Sequence, residues 1–255
     1  MSSSSFPGDG RTVHAPDPTR VTVPPPRRDS DSHAADSALP PLTELPGLRV
    51  AVRYQAAGQT AGAGGDWYLV TPVPDGRVLI SVGDVAGHGP GAVAAMLRLC
   101  HGLGGLAMTA KPPGRLLDWL GALVRSVGPE HTASALAGYF DPGRRTFAWA
   151  QAGHPQPALI RGGAPARLPR PDGALLGAPS RGYQTATAAL LPGDLMLFYT
   201  DGLVERRDSE LEAGAARALS AALGHRDPEA AASAVIAAAG ENPADDTCLL
   251  VVAIT

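Results

Sequence analysis

Hydrophobic residues after position 45 fall into short runs separated by turns rich in glycine, proline and aspartate. Such runs predict β-strands, and two runs around a turn such as PDGR at 74–77 predict a hairpin. The predicted strands are LRVAVRYQA from Leu48, DWYLVTPV from Asp66, VLISVGDV from Val78, ASALAGYF from Ala133, TFAWAQAG from Thr146, PALIR from Pro157, YQTATAALL from Tyr183, DLMLFYT from Asp194 and TCLLVVAI from Thr247.

Helical periodicity interrupts this strand pattern. Helices are predicted over AVAAMLRLCHGLGGLAM at 92–108, over PPGRLLDWLGALVRSV at 112–127, and at about 210–223 and 228–239. Strands grouped with strands and helices with helices indicate a layered α+β fold, with helices on the outer faces of two packed sheets. An apolar stripe on the first helix predicts core packing, with a homodimer surface as the alternative; it consists of Ala92, Ala95, Met96 and Leu99.

The first 45 residues differ in composition from the rest of the chain. Residues 1–45 are rich in Ser, Pro and Asp and show no apolar periodicity, so we predict a disordered tail there and one folded domain at 46–255. The net charge is −3 and no run of lysine and arginine occurs, which argues against a nucleic-acid-binding protein.

The cysteines and the apolar segments bear on the compartment. Cys100 and Cys248 lie in a predicted helix and a predicted strand, which argues against a disulfide scaffold and favours a reducing compartment. The N-terminus lacks a signal-peptide pattern, and the apolar stretch 91–110 is interrupted by Arg98 and His101. We therefore expect a cytoplasmic protein without a membrane span.

Four aspartates stand at the ends of predicted strands, namely Asp66, Asp84, Asp201 and Asp245. A sheet holds such carboxylates in place while their oxygens project beyond its edge, so several of them can converge. Clustered carboxylates repel one another unless cations neutralise them, and all-oxygen ligand sets suit Mg²⁺ or Mn²⁺. The pattern predicts a metal centre.

In this order, the segments GGDWY, GDVAGHG, QAGHPQP, YTDGLVE and DDTCLLVV resemble the PPM-type (type 2C-like) metal-dependent serine/threonine protein phosphatases, in the stage II sporulation protein E branch. The resemblance implies a four-layer α-β-β-α sandwich of two mainly antiparallel sheets. It also implies a centre of two Mn²⁺ or Mg²⁺ ions at one end, and makes 46–255 the phosphatase domain.

Roles for individual residues follow from the resemblance, position by position. Asp84 matches the aspartate that bridges both ions, and the backbone carbonyl of Val85 matches a ligand of one of them. Asp66 matches a further ligand of that same ion. Asp201 and Asp245 match the ligands of the other ion.

Other residues of these motifs leave alternatives open. Asp245 is preferred to Asp246 because it is the first residue of the family's acidic pair. Leu69 stands where many members have an acidic residue, which would weaken metal binding if that residue supports the site. His88 does not occupy the position of the family's histidine near the bridging aspartate, and His154 is interpreted as shaping a loop rather than as a general acid.

The resemblance implies a phosphoprotein phosphatase, a phosphoric monoester hydrolase that acts on phosphoserine or phosphothreonine through a metal-bridging water. Its implied partner is a phosphorylated protein regulator similar to an anti-sigma factor antagonist in a partner-switching pathway. Two alternatives stay open from the residues. One is a catalytically silent module that binds a regulator, and the other is a phosphatase of a small phosphorylated metabolite.

Overall fold

The computed structural model describes residues 45–55, 64–127, 132–204, 216–217, 220–240 and 245–255. The predicted tail and most of the predicted helix at 210–223 lie outside them. The described strands are β1 (Leu48–Gln55), β2 (Asp66–Pro72), β3 (Val78–Val85), β4 (Ala133–Asp141), β5 (Thr146–Ala152), β6 (Ala158–Arg161), β7 (Ala164–Ala166), β8 (Ala186–Ala189), β9 (Leu195–Tyr199) and β10 (Thr247–Ile254). The principal helices are α1 (Pro90–Ala107), α2 (Pro113–Val127) and α3 (Pro228–Ala239).

The strands form two five-stranded sheets. The first has the order β2-β3-β4-β5-β8, and the second has the order β1-β10-β9-β6-β7. Every ladder between named strands is antiparallel. The first sheet is built largely from sequence neighbours, whereas the second joins β1 to β10.

Helices cover the outer faces of both sheets. α1 packs on β2 and β3, α2 packs on β4 and β5, and α3 packs on β1 and β10. The predicted four-layer α-β-β-α sandwich is therefore confirmed. The apolar stripe of α1 is buried, which confirms its predicted core role; it consists of Ala92, Ala95, Met96 and Leu99. None of the described helices is long and apolar enough to cross a membrane.

β10 is an interior strand of the second sheet and contributes to two apolar layers. All of its residues are buried, and they alternate between the layers because successive strand side chains point to opposite faces. Leu250 and Val252 belong to the core between the sheets, whereas Leu249 and Val251 pack in the cluster that includes Val235 of α3. A continuous apolar run, rather than a polar alternation, is the sequence pattern that such a strand requires.

The boundaries of several elements match the predictions, including those of β3, α3 and β10. The predicted strand at 183–191 is shorter, since β8 covers only Ala186–Ala189. β7 was not predicted, because its three residues carry no apolar alternation. The Gly162–Gly163 turn before it has φ values of 60° and 80°, and two such residues close a tight hairpin.

Candidate metal centre

The first pair of predicted ligands lies side by side on β2 and β3. Asp66 is directly opposite Asp84 in the antiparallel register. The backbone before Asp66 passes very close to the end of β3, since a Cβ atom at Gly65 would lie 2.2 Å from the Val85 carbonyl oxygen and 2.9 Å from Asp84 Oδ1. The Val85 amide also donates to the Gly65 carbonyl at 3.1 Å. Glycine at position 65 therefore lets the Asp66 and Asp84 backbones meet.

A threonine connects this pair to the second sheet. Thr200 Oγ1 donates to the Asp66 carboxylate at 2.7 Å and accepts from the Cys248 amide at 2.8 Å. Asp66 and Thr200 are both buried. Because Asp66 is on the first sheet and Thr200 follows β9 of the second, this contact fixes the position of one sheet edge relative to the other.

The second pair of predicted ligands is Asp201 and Asp245, and the first of them directly follows Thr200. Asp201 opens a short 3₁₀ helix, Asp201–Leu203, directly after Thr200. A Cβ atom at Gly202 would lie 2.0 Å from the Asp246 carbonyl oxygen, so the glycine allows the turn to pack on the segment before β10. The structure thus brings together the aspartates that the sequence places far apart.

The carboxylates at this end of the sandwich perturb one another. Burial, followed by the charges of Asp201 and Asp245, raises the pKa of Asp84 to about 6. Burial and the charge of Asp84 raise the pKa of Asp66 well above its ordinary value, against the opposing hydrogen bond from Thr200. Burial and the charge of Asp245 raise the pKa of Asp201. A cation would relieve this repulsion.

The donors at this end of the molecule are all oxygens, which is the set that hard divalent ions prefer. Within the described residues, however, no three His, Cys, Asp or Glu side chains are already grouped around one point as a metal would hold them. The residues present fit Mn²⁺ or Mg²⁺ in their chemistry, because all of the donors are oxygens.

The two residues of the acidic pair differ in their surroundings. Asp245 is exposed, and its Oδ1 accepts from the Asp246 amide at 2.8 Å. Asp246 is buried, with its carboxylate directed at Gly64. Its charge raises the pKa of Tyr54, after burial as the main cause. Asp245 therefore has the freer carboxylate of the pair.

Leu69 occupies a different face of β2 from Asp66, since the two are three residues apart on a strand. Its Cδ2 lies 3.6 Å from the Cβ position of Gly104, on α1. Leu69 itself is buried in the core. An acidic side chain at this position would point towards the helix layer and not towards the carboxylate cluster.

A groove of about 920 Å³ adjoins the acidic end. Its lining includes Asp84 and Asp201, together with Ser134 and His154. Its remaining wall includes prolines, apolar residues and two arginines, namely Pro155, Pro157, Leu168, Leu175, Arg167 and Arg170.

His154 is a buried residue of this groove. Its Nδ1 lies 2.7 Å from Ser134 Oγ, and burial lowers the pKa of the ring to about 3. Among the described residues, its Nε2 has no hydrogen-bond partner of normal geometry, although the Tyr199 backbone opposes the effect of burial on the pKa. The imidazole is therefore neutral at physiological pH, which disfavours a general-acid role. His88, in contrast, is exposed.

Thr200, Ser134, Arg167 and Arg170 were not among the predicted site residues. Thr200 could have been found from its place directly before Asp201 in the YTDG segment, where a threonine in a buried strand end needs a hydrogen-bond partner. The other three depend on how distant segments meet, and no local pattern marks them.

The sandwich and its carboxylate end define the class of protein as a PPM-type, or PP2C, protein phosphatase domain. Residues 74–255 match the model of stage II sporulation protein E (SpoIIE), and the chain belongs to this family. The resemblance found in the sequence motifs is thus confirmed.

Solved structures share the fold. The RsbU and RsbW domains of Rv1364c from Mycobacterium tuberculosis share 30% identity at a TM-score of 0.74, over 82% of this chain and 62% of that chain. RsbX in complex with magnesium has 17% identity and a TM-score of 0.68, over 84% of this chain and 98% of its own. The PP2C phosphatase domain with a regulatory fragment of SpoIIE from Bacillus subtilis has 16% identity and a TM-score of 0.67, over 83% and 64%.

Proposed function

We propose that this protein is a metal-dependent phosphatase that hydrolyses phosphoserine or phosphothreonine in a protein substrate. The observation that carries the proposal is the convergence of Asp66 and Asp84 from one sheet with Asp201 and Asp245 from the other, where burial and the neighbouring charges raise the pKa values of Asp66, Asp84 and Asp201. When bound, two Mn²⁺ or Mg²⁺ ions would neutralise these carboxylates and activate a water for attack on phosphorus.

The proposed ligands divide between the sheets. Asp84 lies centrally, with Asp66 and the Val85 carbonyl on the side of the first sheet and with Asp201 and Asp245 on the side of the second. Thr200 holds the Asp66 carboxylate in place through its 2.7 Å hydrogen bond. The magnesium complex of the structurally similar RsbX supports this choice of ion class.

The groove next to Asp84 and Asp201 would hold the segment that carries the phosphorylated residue. Its prolines and Leu175 offer an apolar wall to a peptide backbone and its side chains. The neutral His154 fixes Ser134 at the edge of the groove without taking part in proton transfer. The similarity to the RsbU and RsbW domains of Rv1364c supports a phosphorylated regulator, comparable to an anti-sigma factor antagonist, as the substrate.

Phosphate release tests this function. We would assay purified wild type and Asp84→Asn on a phosphoserine protein, each with Mn²⁺, with Mg²⁺ and with chelator. Asp172→Asn is the matched control, since Asp172 is an exposed carboxylate that does not line the groove beside Asp84. We expect release by wild type and the control only when metal is present, and a loss of at least 100-fold in Asp84→Asn, of the size seen when a main electrostatic group is removed.

Other outcomes would identify the alternatives. A folded wild type that releases no phosphate with either metal would contradict the proposal and favour a silent module that binds a regulator. Release from a panel of phosphorylated metabolites, but not from phosphoproteins, would identify the protein as a metabolite phosphatase.

A further inference from the structure

Two arginines give the groove a charge pattern that the metal centre does not explain. Asp84, Asp201, Arg167 and Arg170 are all among the residues that line the groove. Acidic and basic residues therefore line the same cavity. A ligand that binds both regions of the groove must carry one group that binds the cations held by the carboxylates. It must also carry a separate negative charge that binds the arginines.

The arginines are presented on a held segment rather than on a free loop. Gln156 Nε2 donates to the Leu168 carbonyl at 2.8 Å and to the Pro169 carbonyl at 3.3 Å, and these residues lie between the arginines. Arg167 directly follows β7. Pro169 and Pro171 limit the backbone on both sides of Arg170, because the proline ring fixes φ. The backbone positions of the two arginines are thus set before any ligand binds.

The same arginines have no acidic partner in the part of the chain that the structure describes. Both are exposed. Some other arginines are paired, as Arg161 is with Asp194 at 2.6 Å and Arg144 is with Asp141 at 3.1 Å. Arg167 and Arg170 appear in no such pair among the described residues, so their hydrogen-bond donors are available to an anionic ligand.

We propose that Arg167 and Arg170 form a binding site for acidic side chains that flank the phosphorylated residue of a protein substrate. This inference rests on the proposed phosphatase function and names a feature of its substrate. A phosphopeptide fits because its phosphate occupies the acidic end with the cations, its apolar groups contact Leu175, and its carboxylates reach the arginines. Leu175 is 40% exposed, which leaves an apolar surface for such a contact.

Three substrates separate this site from the catalytic end. They are a phosphoserine peptide with glutamates around the phosphoserine, the same peptide with glutamines, and p-nitrophenyl phosphate. The double variant Arg167→Gln, Arg170→Gln is compared with Arg98→Gln, Arg125→Gln, which removes the same charge from exposed positions on α1 and α2 outside the groove.

We expect the groove variant to raise KM for the glutamate peptide about ten-fold, the change that corresponds to about 1.4 kcal/mol. Its kcat should stay within about two-fold, since the arginines do not touch the reacting atoms. The glutamine peptide and p-nitrophenyl phosphate should be hydrolysed equally by all three proteins. The preference of wild type for the glutamate peptide should also shrink as salt rises from about 0.05 to 0.5 M, because exposed charges are screened.

Two results would overturn the site. One is an equal KM for the glutamate peptide in wild type and in the groove variant. The other is a comparable loss on p-nitrophenyl phosphate, because the arginines would then bind the phosphate itself.

Fluorescence anisotropy keeps the test independent of catalysis. The probe is the glutamate peptide with a phosphonate analogue of phosphoserine that cannot be hydrolysed. Tighter binding to wild type than to the groove variant supports the site even if no protein releases phosphate, in which case only the proposed phosphatase function fails. Equal binding to both proteins contradicts the site.

Discussion

Removing one charge from the carboxylate cluster should stabilise the metal-free protein. Asp84→Asn keeps the shape of the side chain and removes its charge. Because the pKa of Asp84 is raised from 3.8 to about 6, the repulsion and burial of its charged form correspond to at most about 3 kcal/mol above pH 6. Asp84 is partly exposed, so we discount this to about 1–2 kcal/mol.

The size of the effect depends on pH. A carboxyl whose pKa is raised by folding stabilises the folded state fully below its unfolded pKa, and this contribution is lost as pH rises through the folded pKa. The wild type in chelator should therefore lose stability between about pH 4 and pH 6, whereas Asp84→Asn should lose less. The two proteins should melt together near pH 4 and apart at pH 7.5.

Thermal unfolding followed by circular dichroism measures the difference. For a domain of this size, about 1–2 kcal/mol raises Tm by roughly 2–8 °C. Asp172→Asn, the same change at an exposed carboxylate outside the cluster, should melt like wild type in chelator. With Mn²⁺ at about 100 times Kd, wild type should gain about 2.7 kcal/mol, and Asp84→Asn should gain much less. If Asp84→Asn in chelator is no more stable than wild type at pH 7.5, the result refutes the charge repulsion from which the metal centre is inferred.

Four further substitutions test the surroundings of the centre and two ion pairs elsewhere in the fold. Gly65→Ala should cost about 1–3 kcal/mol in thermal unfolding and reduce the Tm gain with Mn²⁺, because the methyl would meet a backbone carbonyl at 2.2 Å. Leu69→Asp should cost about 3 kcal/mol, since it buries a charge against α1, and calorimetric titration with Mn²⁺ should show no gain in affinity. Arg161→Ala should cost about 3 kcal/mol in urea unfolding, because Asp194 is buried, whereas Arg49→Ala should cost less than about 1 kcal/mol because its ion pair is exposed. An equal loss in the last two variants would contradict the difference in burial.

Much of the fold could be predicted because its patterns are local. The apolar run of β10, the proline at the start of α2, and the PDGR turn before β3 each determine their own element. β7 could not be found in this way, since its three residues pair only because the preceding glycines close a hairpin. The C-terminal end of the strand predicted at 183–191 was also set by pairing. β8 ends at Ala189, which pairs with Thr146, the first residue of β5.

The candidate site divides in the same way. Asp66, Asp84, Asp201 and Asp245 stand out because each follows or begins a strand, but their approach depends on strand register and on sheet packing. Leu69 lies three residues after Asp66, so the alternation of β2 places it on the opposite face, towards α1. The position of the segment that carries the groove arginines depends on a side-chain hydrogen bond from Gln156, which no sequence pattern predicts.

The pairing of β1 with β10 has a consequence for folding kinetics. Gln55 pairs with Thr247, so this ladder closes a loop that contains most of the domain. Such long-range pairing has a high loop-closure entropy and tends to form late, whereas hairpins such as β2–β3 and β4–β5 can form early. Asp201 and Asp245 adjoin β9 and β10, so the ion-binding end would be completed after the main folding barrier. We therefore expect a bound ion to slow unfolding far more than it speeds folding, which makes it a determinant of the protein's lifetime.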